Sequence, residues 1–168
     1  KRFLFFLPFF ITVDSFAQLD RAFWFAAPDI DEVRDPVYGQ YDRPILLRIA
    51  TADQPAVVTI SMPADAGFVP VVISMAANAS NTVDLTSQIN RIENTVANIV
   101  QNKGLYIVAT NDIFVYYEVL AQSCNCNPEL FALKGQNALG NEFIIPSQVS
   151  WPVDTLRFPN ARASFEIV

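Results

Sequence analysis

"LYIVATNDIFVYYEVLA", residues 105–121, decides the fold. Leu105 and Ile107 fall on one side of an extended chain. After Asn111-Asp112, Ile113, Val115 and Tyr117 share one side, and Phe114 and Tyr116 take the other. A period of two is that of a strand with one face buried. Asn-Asp is a turn-forming pair. The stretch therefore reads as two strands, Leu105–Thr110 and Ile113–Ala121, joined by a tight turn.

The same texture extends outward in both directions. Ala22–Ala27 is a strand that ends at Pro28, and Ile45–Thr51 and Ala56–Met62 are strands joined by "ADQP". Val58 and Ile60 then share a face. Pro70–Ala76 and Ser80–Leu85 follow, and "ELFALKG", "EFIIPSQ" and "ASFEIV" come later. Short strands with turn signals every ten residues or so predict an all-β fold, a β-sandwich of mostly antiparallel strands in two packed sheets. One segment departs from this. "DLTSQINRIENTVANIV" sets Ile89, Ile92, Val96 and Ile99 at helical spacing, which predicts one short helix near residues 86–99, starting at about Thr86 and lying across one end of the sandwich.

At 168 residues the chain is long enough for one domain with a core, and 52% apolar residues rule out disorder. Five of the 14 phenylalanines lie in the first ten residues. "KRFLFFLPFFITVDSFAQ" has two basic residues, an apolar run from Phe3 to Val13, and Ser15-Phe16-Ala17, a small-x-small cleavage pattern. The run is about half the ~20 residues a spanning helix needs. Residues 1–17 thus read as a secretory signal peptide and 18–168 as a single β-sandwich domain. Val168 falls inside an apolar alternation, so the domain is expected to be truncated at its C-terminus. No other stretch reads as a transmembrane segment. Removing Lys1, Arg2 and Asp14 takes the net charge from −6 to −7, an acidic balance unsuited to nucleic acid.

Residue types limit the chemistry. The chain has no histidine, which removes a Ser–His–Asp triad, a Cys–His pair and a zinc–histidine ligand set. Its five glycines never cluster into a phosphate cradle. A carboxylate pair is the remaining catalytic option, and no such pair stands out. The expectation is therefore no enzyme, no catalytic residues, no cofactor and no resident metal. Cys124 and Cys126 are the only cysteines. In a strand their Cα atoms would sit near the ~7 Å limit for a disulfide, and a turn at Asn125 would bring them closer. An oxidising compartment favours a small local disulfide between Cys124 and Cys126; two free, partly buried thiols are the alternative.

Asp29, Asp31, Glu32 and Asp35 form a weak candidate calcium loop, since Ca²⁺ takes about six to eight oxygen ligands. Their spacing matches no EF-hand, and a solvated acidic loop is the favoured reading. Asn78-Ala79-Ser80 is a formal N-glycosylation acceptor. Of Tyr116 and Tyr117 one ring points in and one out. Trp24 has the same ambiguity, with core packing favoured over a binding role for such aromatics.

The quoted segments carry a resemblance. "DRAFWFAAPDI", the run from Asp42 to Asn94, "NKGLYIVATNDIFVYYEV" and above all "NPELFALKGQNALGNEF" resemble the N-terminal domain of the IgGFc-binding-protein type. The chain is similar, from about Leu19 to Val168, to versions in secreted surface proteins of Bacteroidetes associated with gliding and type IX secretion. The resemblance implies further domains of the same chain and a surface location, and it brings no catalytic residues. Against that background Asp154-Thr155-Leu156 fits a Bacteroidetes O-glycosylation pattern, which makes Thr155 a weak candidate; an ordinary loop threonine is the favoured reading. The function expected is a secreted or cell-surface, non-enzymatic, adhesin-like module that binds an extracellular protein or glycan. A carbohydrate-binding module is the alternative, and a carboxylate-dependent glycan-acting enzyme a weaker one. Mass spectrometry of exported protein should give Gln18 as the first residue, and an intact Phe3–Val13 segment in the mature product would refute the signal peptide.

Overall fold

The computed structural model describes residues 18–30, 41–96, 98–121 and 129–144. The nine strands among them are β1 (Asp20–Phe25), β2 (Ala27–Pro28), β3 (Ile45–Thr51), β4 (Ala56–Ser61), β5 (Val71–Met75), β6 (Ser80–Asp84), β7 (Glu93–Asn94), β8 (Leu105–Val119) and β9 (Glu129–Ala132). The protein is all-β. Seven strands form one large antiparallel sheet that curls into a nearly closed barrel, and β2 and β7 make a separate parallel pair.

The turn expected at Asn111-Asp112 is not there: β8 runs unbroken for 15 residues. Two physical reasons account for this. The buried residues Leu105, Ile107, Ala109, Ile113, Val115, Tyr117 and Val119 keep the same two-residue phase across the pair, so the strand holds its apolar side inward without reversing, although it bulges there against β1, where Asp20 faces Ile113 and Ala22 faces Val108. The polar side chains that would have stabilised a turn are instead satisfied by neighbouring segments. Asn111 Nδ2 donates to the Pro55 carbonyl (2.8 Å), and Asp112 Oδ1 accepts from Arg21 Nε (2.6 Å). Neither residue has the positive φ that a tight two-residue hairpin turn demands.

β8 is the spine of the sheet. Its first half pairs with β4 on one edge and β1 on the other; its second half pairs with β3 and β9. Ile113 faces both Thr51 and Asp20, so β3 and β4 share one edge of β8, end to end, while β1 and β9 share the other. β5 and β6 extend the sheet beyond β4 and β3 in the same end-to-end manner.

All the rows break at one level. Thr51 faces Ile113 and Val58 faces Ala109, so seven steps along the β3–β4 row match four along β8. The extra residues 52–55 form a jog, and residues 76–79 form another between β5 and β6. Bends of this kind let strands turn a corner and wrap one sheet around a single core. The residues on the wrapped side, from Phe23 through Leu47, Ile60, Ile107 and Ile113 to Tyr117, form one buried cluster. The two packed layers expected of a sandwich are thus supplied largely by one creased sheet.

Side chains fasten the crease. The buried Thr51 hydroxyl donates to the Ala76 carbonyl (2.7 Å) and accepts from the Ala79 amide (2.9 Å), while its own amide donates to the Ala79 carbonyl (2.9 Å). Asn78 takes a left-handed φ of 53° there, a conformation that asparagine tolerates well, and its amide donates to the Ala52 carbonyl. On the far edge, Asp20 Oδ2 accepts from the Gln136 amide (2.8 Å) and ties β1 to the 3₁₀ turn Gly135–Ala138 after β9. Gly135 has a φ of +52°, and a Cβ there would lie 2.5 Å from the Asp20 carboxyl, so the tie needs glycine.

The predicted short helix begins at Thr86 as expected and spans about two turns, ending short of residue 99. A 3₁₀ turn, Thr86–Gln88, runs into α1 (Ile89–Ile92), and the chain is extended from Glu93. Ile89 and Ile92 are buried as expected, whereas Val96 and Ile99, assigned to the same helical face, are exposed. The segment is rich in β-branched residues and asparagine, which are weak helix formers. Pairing of β7 with β2 then captures Glu93 and Asn94, and the Lys103 ammonium takes the carbonyls of Asn90 and Glu93 at the helix end.

Arg91 anchors this short helix to the β4–β5 connection. Its guanidinium lies over Gly67 and donates to Asp65 Oδ2 (2.5 Å), while Asp65 Oδ1 accepts from the Gly67 amide (2.8 Å). The Arg91 hydrogen bond first, and the Gly67 bond second, hold the Asp65 carboxyl below its ordinary value.

Two outcomes follow from these contacts. Thr51→Val keeps the shape and removes the hydroxyl; it should destabilise the protein by about 1–3 kcal/mol in urea unfolding. Thr59→Val, half-buried on the other face of β4, should change stability by no more than about 0.5 kcal/mol. A carboxyl with a lowered folded pKa stabilises above the unfolded value and loses that contribution as pH falls through the folded one. The melting temperature of the wild type should therefore exceed that of Asp65→Asn by a constant margin at neutral pH. That margin should shrink once pH drops below the ordinary value of 3.8. A margin that does not change with pH would contradict the pairing.

Candidate ligand-binding face

Alternation sends the residues between the core positions of β8 to the outer face: Tyr106, Val108, Thr110, Phe114, Tyr116 and Glu118. Strand register sets their neighbours. Thr82, Arg48 and Tyr116 form one rung across β6, β3 and β8, and Ser80, Ala50 and Phe114 form the next. Ala50 is the small residue in this patch. Over it lies an open hollow of about 250 Å³ bordered by Arg48, Ser80, Thr82 and Tyr116.

Arg48 organises the rim. Its Nε donates to Glu118 Oε2 (2.5 Å) and its Nη1 to Thr82 Oγ1 (2.9 Å). The pair is partly solvated, with side-chain exposures of 46% for Arg48 and 16% for Glu118. The geometry leaves Arg48 Nη2 as a donor and Glu118 Oε1 as an acceptor, while the pair carries no net charge. The Tyr116 hydroxyl donates to Gln18 Oε1 at 3.3 Å, which steadies the ring.

A second feature lies across the crease. Trp24 faces Tyr106 between β1 and β8, and their rings stack with centroids 4.4 Å apart and planes 26° apart. Trp24 is 45% exposed and Phe23 is in the core, so the favoured expectation of core packing is met by the phenylalanine and reversed for the tryptophan. Tyr117 points inward, where it is fully buried against Phe25, and Tyr116 points out.

The residues singled out in the sequence do not gather here. Asp29 is exposed just beyond β2, whereas Asp31, Glu32 and Asp35 lie outside the described residues, as do Cys124, Cys126 and Thr155. Asn78 is exposed at the crease. Among the described residues no three acidic or cysteine side chains are grouped to hold a metal ion, and no helix is long and apolar enough to cross a membrane. Sequence reasoning missed Arg48, Thr82 and Glu118. Each is a polar residue at an outward position of its strand, Arg48 and Glu118 on apolar strands and Thr82 on the largely polar β6. The available signal was that alternation, but which of them meet depends on register between segments dozens of residues apart.

No family model matches the chain, and no curated protein sequence matches it. Among solved structures, the crystal structure of Thermotoga maritima 1070 is similar over 70% of this chain and 95% of its own, with 14% identity and a TM-score of 0.39. A likeness at that level carries no argument about function.

Proposed function

We propose that this chain is a non-enzymatic, adhesin-like binding module of a larger secreted or cell-surface protein, and that the outer face of its sheet is the contact surface. The observation that carries the proposal is the rim around Ala50. It sets a donor, an acceptor, hydroxyls and an aromatic ring around an open hollow, on strands whose other face is locked in the core. Polar groups fixed by a rigid scaffold suit recognition, because little order is lost when a partner binds. The signal-like segment Lys1–Ala17 and the resemblance to N-terminal domains of the IgGFc-binding-protein type support an extracellular setting.

The test is a binding screen of the whole chain against immobilised extracellular proteins and glycans. Saturable binding is expected, with a loss of about tenfold or more in the double variant Arg48→Ala, Tyr116→Ala. An unfolded variant would be recognised by its circular dichroism. Binding that ignores the double variant would move the contact surface elsewhere, and absence of binding to both panels would overturn the proposal.

A further inference from the structure

We infer that the hollow over Ala50 is a subsite for one uncharged sugar ring, an inference that rests on the binding-module reading and names its ligand class. Charge comes first. Arg48 is neutralised by Glu118 at 2.5 Å, and the chain as a whole carries −6, so neither the site nor the long-range field favours an anion. Cations gain little either, because the Glu118 carboxylate is already engaged. A ligand that offers both donors and acceptors without charge matches what remains.

The hydrogen-bonding inventory narrows it to a polyol. Arg48 and Glu118 are joined through Nε and Oε2, so the pair brings further guanidinium donors and a second carboxylate oxygen to one edge of the hollow, the combination of donor and acceptor that adjacent hydroxyl groups on a ring require. Ser80 and Thr82 add hydroxyls on the opposite wall, and these both donate and accept. Tyr116 supplies an aromatic ring on the remaining side, against which the C–H face of a sugar packs. Size agrees: about 250 Å³ is below the ~300–1,000 Å³ of pockets that take drug-sized ligands, which leaves room for one ring and not for a buried chain. The floor agrees too, since any side chain longer than that of Ala50 would fill the space.

The Trp24–Tyr106 pair is the rival platform on the same surface. Its two rings stack on each other, so one face of each is already covered. The hydroxyl beside it, that of Ser61, already donates to the Tyr106 carbonyl (3.3 Å), whereas Arg48 and Glu118 form a side-chain pair at the rim of the hollow. The sugar is therefore placed at Arg48.

An open subsite binds weakly, and multivalent display makes such binding visible. The experiment has two stages. The full chain is first applied to a dense array of neutral, sialylated and sulfated oligosaccharides. It is then titrated with a methyl hexopyranoside chosen from the neutral hits, while amide chemical shifts are followed. Neutral glycans are expected to bind, with shifts centred on residues 48–50, 80–82 and 116–118. Ala50→Leu, which fills the hollow and leaves the Arg48 bonds alone, should weaken binding about tenfold or more, and so should Arg48→Met. Trp24→Ala should leave it within about twofold. Ala50→Leu is judged only if its melting temperature is retained; Arg48→Met, on the exposed face, provides the second reading.

Exclusive capture of sialylated or sulfated glycans would overturn the uncharged-ligand assignment. Neutral binding abolished by Trp24→Ala and indifferent to Ala50→Leu and Arg48→Met would overturn the location. Binding to extracellular proteins with no glycan bound would overturn the sugar inference and leave the binding-module reading standing. If neither panel binds, both are overturned.

Discussion

The hydroxyl of Thr51 holds together two jogs that the rest of the fold requires. It bonds the carbonyl of Ala76 and the amide of Ala79, at the point where the β3–β4 and β5–β6 rows change direction. A sheet of extended strands has no intrinsic reason to bend sharply at one level. It does so here because extra residues accumulate in adjacent rows at the same height, and because the backbone groups they free find partners nearby. Asn78 and Asn111 complete that accounting, through the carbonyls of Ala52 and Pro55. Without the bend, the two halves of β8 would present their apolar sides along a flat surface and could not enclose a shared core.

The outer surface inherits its pattern from the same bend. On one side of it lies the polar group around Arg48, and on the other the Trp24–Tyr106 stack. Both use cross-strand neighbours, the basic unit of side-chain interaction on a sheet. Their characters differ because the rows differ. β6 brings threonine and serine beside Arg48, while β4 brings Thr59 and Ser61 beside β8 and β1 adds the tryptophan. The salt bridge between Arg48 and Glu118 is partly solvated, so its contribution to stability is small; its importance is geometric, since it fixes where the remaining donor and acceptor point.

Much of the fold was legible because the strands obey the pleat. Ile45–Thr51 is a strand with the predicted bounds, and Val58 and Ile60 share the buried face as their alternation requires. The errors occurred where local and tertiary forces compete. Asn111-Asp112 has turn chemistry, yet neighbouring strands offered its side chains better partners than a turn would. Val96 and Ile99 continue a helical spacing, yet weak helix propensity and the pull of β2 on Glu93 ended the helix at Ile92. Arg48, Thr82 and Glu118 were not singled out in the sequence. Nothing along the chain places Arg48 opposite Tyr116 until the register of β3 on β8 is known.

The central position of β8 also dictates an order of events as the chain is made. β3 through β6 can pair among themselves as soon as they emerge, since β4 and β5 are joined by a short connection. β1 has no such option. Phe23 pairs with Ile107, so the first strand must wait, with its aromatic residues uncovered, until the spine has been synthesised. Contacts so distant in sequence close slowly, because a long loop must lose its freedom before any pairing is gained. A nascent chain of this sequence is therefore expected to leave that edge of β8 open until late, when β1 and β9 come to lie end to end along it.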